Sequence, residues 1–195
     1  MIHVYPGMGA TSEMYSGDWR MIPNTVFHDW PRWNGESTIS SLASRLIDEH
    51  GIKIGDEVIG SSLGGIVACE IANLVTLKKL TLIGSAVSKD EISRLLSILH
   101  PLIDVVPINL ARLSAEKLPH ELSGMFSESE PEFIRSMTKA IFSWGGLKSD
   151  VPLLRIHGNR DLVIPLPMDV DDPIKGGHLV AMTHAKDCIE KIRKC

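Results

Sequence analysis

Five short apolar runs, "MIHVY", "NTVFHDW", "DEVIG", "LTLIGSA" and "PLLRIHG", recur along the chain, and each is bounded by Gly, Pro, Asn or Asp. Runs of this length between breakers read as buried strands. Stretches of helical periodicity separate them. In residues 37–50, Ile39, Leu42, Ala43, Leu46 and Ile47 keep to one face, Ser37 or Thr38 can cap the start, and Gly51 sits just past the end. Residues 65–75, with Ile66, Val67, Ile71, Leu74 and Val75, read as a second helix buried on more than one side. Strand, helix and strand in repetition demand parallel pairing, because parallel neighbours need a crossover and right-handed crossovers dominate. The expected class is therefore α/β, a mostly parallel sheet with helices on both faces.

At 195 residues the chain is sized for one core, so a single domain over 1–195 is expected. Hydrophobic residues make up 44% and charged residues 23%, the balance of an ordinary globular protein. The net charge of -4 is spread among interspersed acids and bases, with no basic stripe to serve nucleic acid or anionic lipid. Small-molecule partners fit better. Cys69, Cys188 and Cys195 show no metal-ligand spacing, and their odd number argues against a disulfide framework and for a reducing compartment. No run approaches the roughly 20 apolar residues of a membrane span, and "MIHVYPGMGA" lacks a basic region followed by a long apolar stretch. A soluble, cytoplasmic protein is the expectation.

Between the strand ending near Ala86 and the one starting near Pro152 lies a stretch too long for a plain crossover. It carries Leu95, Leu96, Leu99, Met125, Phe126, Phe133, Met137, Ile141, Phe142 and Trp144. A helical lid or cap over 89–150 is expected there, although burial against the sheet accounts for most of these side chains.

The stretch 58–74, "VIGSSLGGIVACEIANL", leaves a strand abruptly with two serines at the bend. A strand that turns straight into a helix forces one residue into a strained backbone, and glycines two positions either side remove the Cβ clashes that would forbid it. Gly60 and Gly64 stand in that relation to Ser62. The following helix N-terminus favours developing negative charge, so Ser62 is the candidate nucleophile of a Gly-x-Ser-x-Gly elbow. A Gly- and Ser-rich turn alone is weak; its place after a strand and before a helix strengthens it.

A serine hydroxyl is inert at neutral pH without a base and a group to orient that base. Among the eight histidines, His178 follows two glycines after the last strand region, where an imidazole can project over the strand ends. His184 is the runner-up, while His3, His28, His50, His100, His120 and His157 read as structural or solvated. Asp161, in "HGNRDLVIP", is the candidate carboxylate, and the order Ser, Asp, His results. Its rivals are Asp169, Asp171 and Asp172; its plain reading is a turn cap or a partner of Arg160. Acyl transfer also needs N–H groups aimed at the developing oxyanion. Leu63, next to the nucleophile, and Met8, in the Gly-rich turn "YPGMGA", are the candidate donors. Trp30, Met125, Phe126 and Trp144 are candidate substrate-binding residues.

With these pieces in order along nearly its whole length, the chain resembles the α/β-hydrolase superfamily. The matching stretches are "YPGMG", "FHDWPRWNGES", "GSSLGG", "IHGNRDLVIP" and "GGH". The resemblance implies a Ser62–His178–Asp161 triad, a two-step acyl-enzyme mechanism on a small ester-like substrate, and no metal or organic cofactor. It also implies that the chain starts at the family's third strand, which leaves a small sheet of about six strands. Pro6 and Ser61 stand where many relatives carry histidine. The same fold also supports acyl transfer, lyase chemistry and non-catalytic binding, whereas serine at 62 disfavours chemistries that need a carboxylate nucleophile.

Overall fold

The computed structural model describes residues 1–92 and 130–194. Leu95, Leu96, Leu99, His100, His120, Met125, Phe126 and Cys195 lie outside the described residues, as does most of the expected lid.

Each of the five apolar runs supplies one strand: β1 Ile2–Tyr5, β2 Thr25–Phe27, β3 Glu57–Ser61, β4 Lys79–Ile83 and β5 Leu153–Ile156. The helices are α1 Ile39–His50, α2 Leu63–Leu74, α3 Pro131–Ser143, α4 Val180–Thr183 and α5 Ala185–Lys194, with short 3-10 turns at Ser12–Met14, Gly17–Met21 and Lys89–Glu91. The strand order is β2-β1-β3-β4-β5 and every pair is parallel.

The expectation of about six strands is corrected to five among the described residues. The segment before His178 runs beside β5 but makes only one isolated parallel bridge, Ile174 to Gly158. Pro165, Pro167 and Pro173 bring no N–H to a ladder, so no further strand grows there.

Alternation along the strands divides the core in two. Tyr5, Val58, Leu80 and Leu82 face α1, α2 and α3, while Val4, Ile59, Ile83 and Ile156 face α4, α5 and the turns at Ser12–Met14 and Gly17–Met21. Helix α1 starts on a reciprocal capping box between Thr38 and Ser41 and ends at Gly51 in the left-handed conformation. It buries Ile39, Leu42, Ala43 and Leu46. Helix α2 is buried along nearly its whole length, which places it between α1 and the sheet. Trp19 locks the opposite face, its Nε1 donating to Ala181 O at 2.8 Å.

Two features of this frame position the site. The register sets Tyr5 opposite Gly60, Ser61 opposite Ile83, and Ile83 opposite Ile156, so the loops after four adjacent strands emerge level with one another. The chain leaving β4 and the chain returning after α3 are also joined, because Leu147 N donates to Val87 O at 2.8 Å. Among the described residues no helix is long and apolar enough to cross a membrane.

Candidate active site

Strand β3 ends at Ser61 and α2 begins at Leu63, so the reversal falls on Ser62 alone, with φ 51° and ψ -119°. A non-glycine residue held there stores about 1–3 kcal/mol of strain. The surroundings impose it. A Cβ on Gly60 would lie 2.2 Å from Gly64 O, one on Gly64 2.4 Å from Pro6 O and 2.5 Å from Tyr5 O, and one on Gly65 2.3 Å from Ser85 Oγ. The three glycines thus let β1, β3 and α2 close on one another, and Ser62 takes the strain. Its backbone is tied down: Ser62 N donates to Ile83 O at 3.1 Å, and Ser62 O accepts from Gly65 N, Ile66 N and, at 2.7 Å, Ser85 Oγ. Gly64→Ala is expected to destabilise the protein by about 2–4 kcal/mol; a urea midpoint equal to the parent's would show that the elbow has room for a methyl group.

Above the ends of β3, β4 and β5, Ser62, His178 and Asp161 meet. Ser62 Oγ lies 2.9 Å from His178 Nε2, and His178 Nδ1 lies 2.8 Å from Asp161 Oδ2. The Asp161 side chain is fully buried and that of His178 is 18% exposed. Burial by itself would raise the Asp161 carboxyl. Hydrogen bonds from His157, His178 and the Ile164 N–H outweigh it and hold the group well below the usual carboxylate range. Asp161 is therefore ionised and can only accept, so the hydrogen in the 2.8 Å contact sits on His178 Nδ1. The Nε2 lone pair is then free to accept from the Ser62 hydroxyl. Gly84, at φ 53°, makes the convergence possible: a Cβ there would lie 2.9 Å from His178 O.

Three of the rival groups are engaged elsewhere, and Asp171 is exposed. His184 Nδ1 lies 2.8 Å from Thr183 Oγ1. Asp169 accepts twice from Arg155 Nη1, at 2.9 and 3.0 Å, and Asp172 pairs with Lys191. Arg155, only 6% exposed, also holds Glu91 at 2.7 Å and Ser85 O at 3.4 Å. The acidic segment before the histidine is in this way clamped to β5 and α5. Ser61 is turned away, its hydroxyl donating to Ile83 O at 3.2 Å.

The candidate oxyanion donors flank the serine. Leu63 N–H opens α2, where the first-turn amides have no partner within the helix. The turn carrying Met8 packs directly on the elbow, since a Cβ on Gly7 would lie 3.6 Å from Ser62 Cβ. Trp30 Nε1 donates to Gly7 O at 2.9 Å, and Gly7 N donates to Met14 Sδ at 3.4 Å, which fixes that turn from two sides. Trp30 also packs at a tilt on Phe133 of α3, ring centres 5.4 Å apart, and the two rings wall a cleft of about 360 Å³ that Asp29, Arg32 and Glu130 line as well. Trp144 is placed elsewhere: it is buried in the core, its Nε1 donating to Glu70 Oε2 at 3.0 Å.

Sequence reasoning missed Phe133 as a cleft wall and His157 as a partner of Asp161. His157 stands four residues before Asp161 in "IHGNRD", and that spacing was the available signal. No group of three or more His, Cys, Asp or Glu side chains among the described residues could hold a metal ion.

No protein-family model and no curated protein sequence matches the chain. Solved structures do. A hydrolase from Pseudomonas aeruginosa PA01 superposes with a TM-score of 0.79 at 12% identity, covering 99% of this chain and 88% of that one. The enol-lactonase from Burkholderia xenovorans LB400 gives 0.78 at 16% identity, with 99% and 89% covered. The esterase EaEST from Exiguobacterium antarcticum gives 0.73 at 15% identity, with 100% and 91% covered. At such identities the likeness establishes architecture: the chain has the α/β-hydrolase fold.

Proposed function

We propose that the protein is a serine hydrolase that cleaves a small carboxylic ester or thioester through an acyl-Ser62 intermediate. The observation that carries this reading is the continuous run from Ser62 Oγ through His178 to a buried, ionised Asp161, with contacts of 2.9 and 2.8 Å. Ser62 Oγ attacks the carbonyl carbon as His178 Nε2 takes its proton. Asp161 holds the imidazole in the Nδ1–H tautomer and stabilises the imidazolium. The amides of Leu63 and Met8 donate to the tetrahedral oxyanion. Collapse breaks the bond to the alcohol or thiol, which leaves with the proton from His178. A water then attacks the acyl-Ser62 carbonyl with His178 again as base, restoring the free serine and releasing the acid. The step needs no group beyond these side chains, the backbone and water.

The names enol-lactonase and esterase among the structural neighbours both denote cleavage of an ester linkage, which supports the reaction class. The cleft near the turn carrying Met8 sets the Trp30 and Phe133 rings beside Asp29, Arg32 and Glu130, which suits a small acyl or alcohol group that also carries polar atoms.

The test is labelling with a fluorophosphonate probe followed by peptide identification. The expected adduct is on Ser62. Turnover of a p-nitrophenyl ester by protein whose adduct maps to another residue, or that forms none, would overturn the proposal.

A further inference from the structure

We infer that His157 is a positioning residue for the Asp161 carboxylate, an inference that rests on the serine-hydrolase reading. His157 follows β5 and is 1% exposed. Its Nε2 lies 2.8 Å from Ile164 O and 3.3 Å from Asp161 Oδ2. A carbonyl can only accept, so Nε2 carries the hydrogen and donates it to Ile164 O, with the Asp161 carboxylate as its 3.3 Å neighbour. Ile164 returns the contact, its own N–H donating to Asp161 Oδ1 at 3.0 Å beside that of Val163 at 2.9 Å. His157, Ile164 and Asp161 thus form a closed ring of polar contacts, two hydrogen bonds and the 3.3 Å approach of Nε2 to Oδ2, that holds the carboxylate.

The same residue reaches the base loop through its backbone. His157 O accepts from Ile174 N at 2.8 Å, and the next turns bind the approach to His178 through Asn159 N to Ile174 O at 2.8 Å and Arg160 N to Gly176 O at 2.9 Å. Oδ2 therefore receives an imidazole from each side, one that must gain a second proton during turnover and one that stays put. Without this stationary neighbour, which also holds Ile164 O, the carboxylate can turn about its Oδ1 bonds and carry Oδ2 away from His178 between the two half-reactions. The loss falls on the chemical step and leaves ester binding alone.

The experiment compares His157→Leu, His157→Gln and His157→Asn in the full chain with p-nitrophenyl butyrate, checking the fold of each by circular dichroism and melting. His157→Leu lowers kcat about 10- to 100-fold with KM within about twofold. The Gln amide places an N–H where Nε2 stood and recovers most of kcat, whereas the shorter Asn amide does not. A folded His157→Leu with the parent's kcat would overturn the inference. If the leucine variant does not fold, the amide pair decides, and equal kcat for Gln and Asn overturns it. Ser62→Ala is measured alongside. Turnover that survives in Ser62→Ala defeats the serine-hydrolase reading itself, whereas loss there combined with full activity in His157→Leu defeats only the role given to His157.

Discussion

Replacing Ser62 with alanine is expected to lower kcat for a p-nitrophenyl ester by about four orders of magnitude or more, because in the proposed mechanism nucleophile and base act as one unit. KM changes little, since the hydroxyl contributes to bond formation more than to holding the ester. The backbone at this position adds a second, opposite effect on stability. At φ 51° a Cβ is strained, and alanine keeps that strain while glycine relieves it. Ser62→Gly is expected to be more stable than Ser62→Ala by about 1 kcal/mol, the reverse of the usual order for these residues. Urea denaturation of the two inactive variants reads this directly. Alanine equal to or above glycine would mean that the elbow stores no strain at Ser62.

Acidification produces the second large effect, away from the serine. His3 of β1, His28 after β2 and His50 at the end of α1 stack in and around the Tyr5 ring, with the His28 and His50 ring centres 3.9 Å apart. His3 Nδ1 and His28 Nε2 share a hydrogen bond of 2.9 Å, and Tyr5 Oη and His50 Nδ1 share one of 2.8 Å. The charged groups facing the stack are Asp56, 3.4 Å from His3, the N-terminal amine bonded to Asp56, and Asp29 and Glu49 nearby. Burial lowers all three imidazoles; for His28 the neighbouring His50 and His3 add to it and push it down to about 3. Neutral when folded, each binds a proton once the chain unfolds.

The sign follows from that difference. Above the ordinary histidine value of about 6.5 both states are neutral and pH has no effect through these groups. Below it the unfolded chain holds more protons, so stability falls as pH drops, by up to about 1.4 kcal/mol per pH unit for His28, with His3 and His50 acting in the same direction. The His28 share persists down to about 3, where the native ring also protonates. The Asp161 contribution belongs to a lower window: its carboxyl is depressed, so its stability is intact above the ordinary carboxylate range and is lost only as pH falls through and below it. Urea unfolding between pH 7 and 4.5 therefore gives a steep decline, and His28→Gln reduces the slope by about 1.4 kcal/mol per unit. A flat profile, or an unchanged slope in His28→Gln, would mean that the buried rings titrate as they do in water.

The fold was legible because each strand is short, apolar and fenced by breakers, and because α1 carries its cap, its stripe and its terminal glycine in the right places. Ser62 was legible for a related reason: the glycines around it answer to backbone contacts that any chain making this turn must relieve. Other features depend on distances that no local pattern encodes. Trp144 and Phe133 are both aromatic residues buried in the same core, yet only Phe133 also reaches the cleft, and only the direction of the helix decides that. The histidine stack joins residues from β1, the end of β2 and the end of α1, and it becomes visible once the register is fixed. Among the described residues a sixth strand does not form, and the prolines before His178 that prevent it matter only when a ladder is tried against β5.

The hydrogen bond between Leu147 and Val87 closes the long excursion after β4 at its base, much as a drawstring closes a bag. The described part of that excursion is built into the core, since Phe133, Met137 and Ala140 of α3 are buried there and Glu91 holds Arg155 of β5. Substitutions on the exposed side of α3 can therefore vary while its buried side keeps the sheet and the loops carrying Ser62, His178 and Asp161 in register.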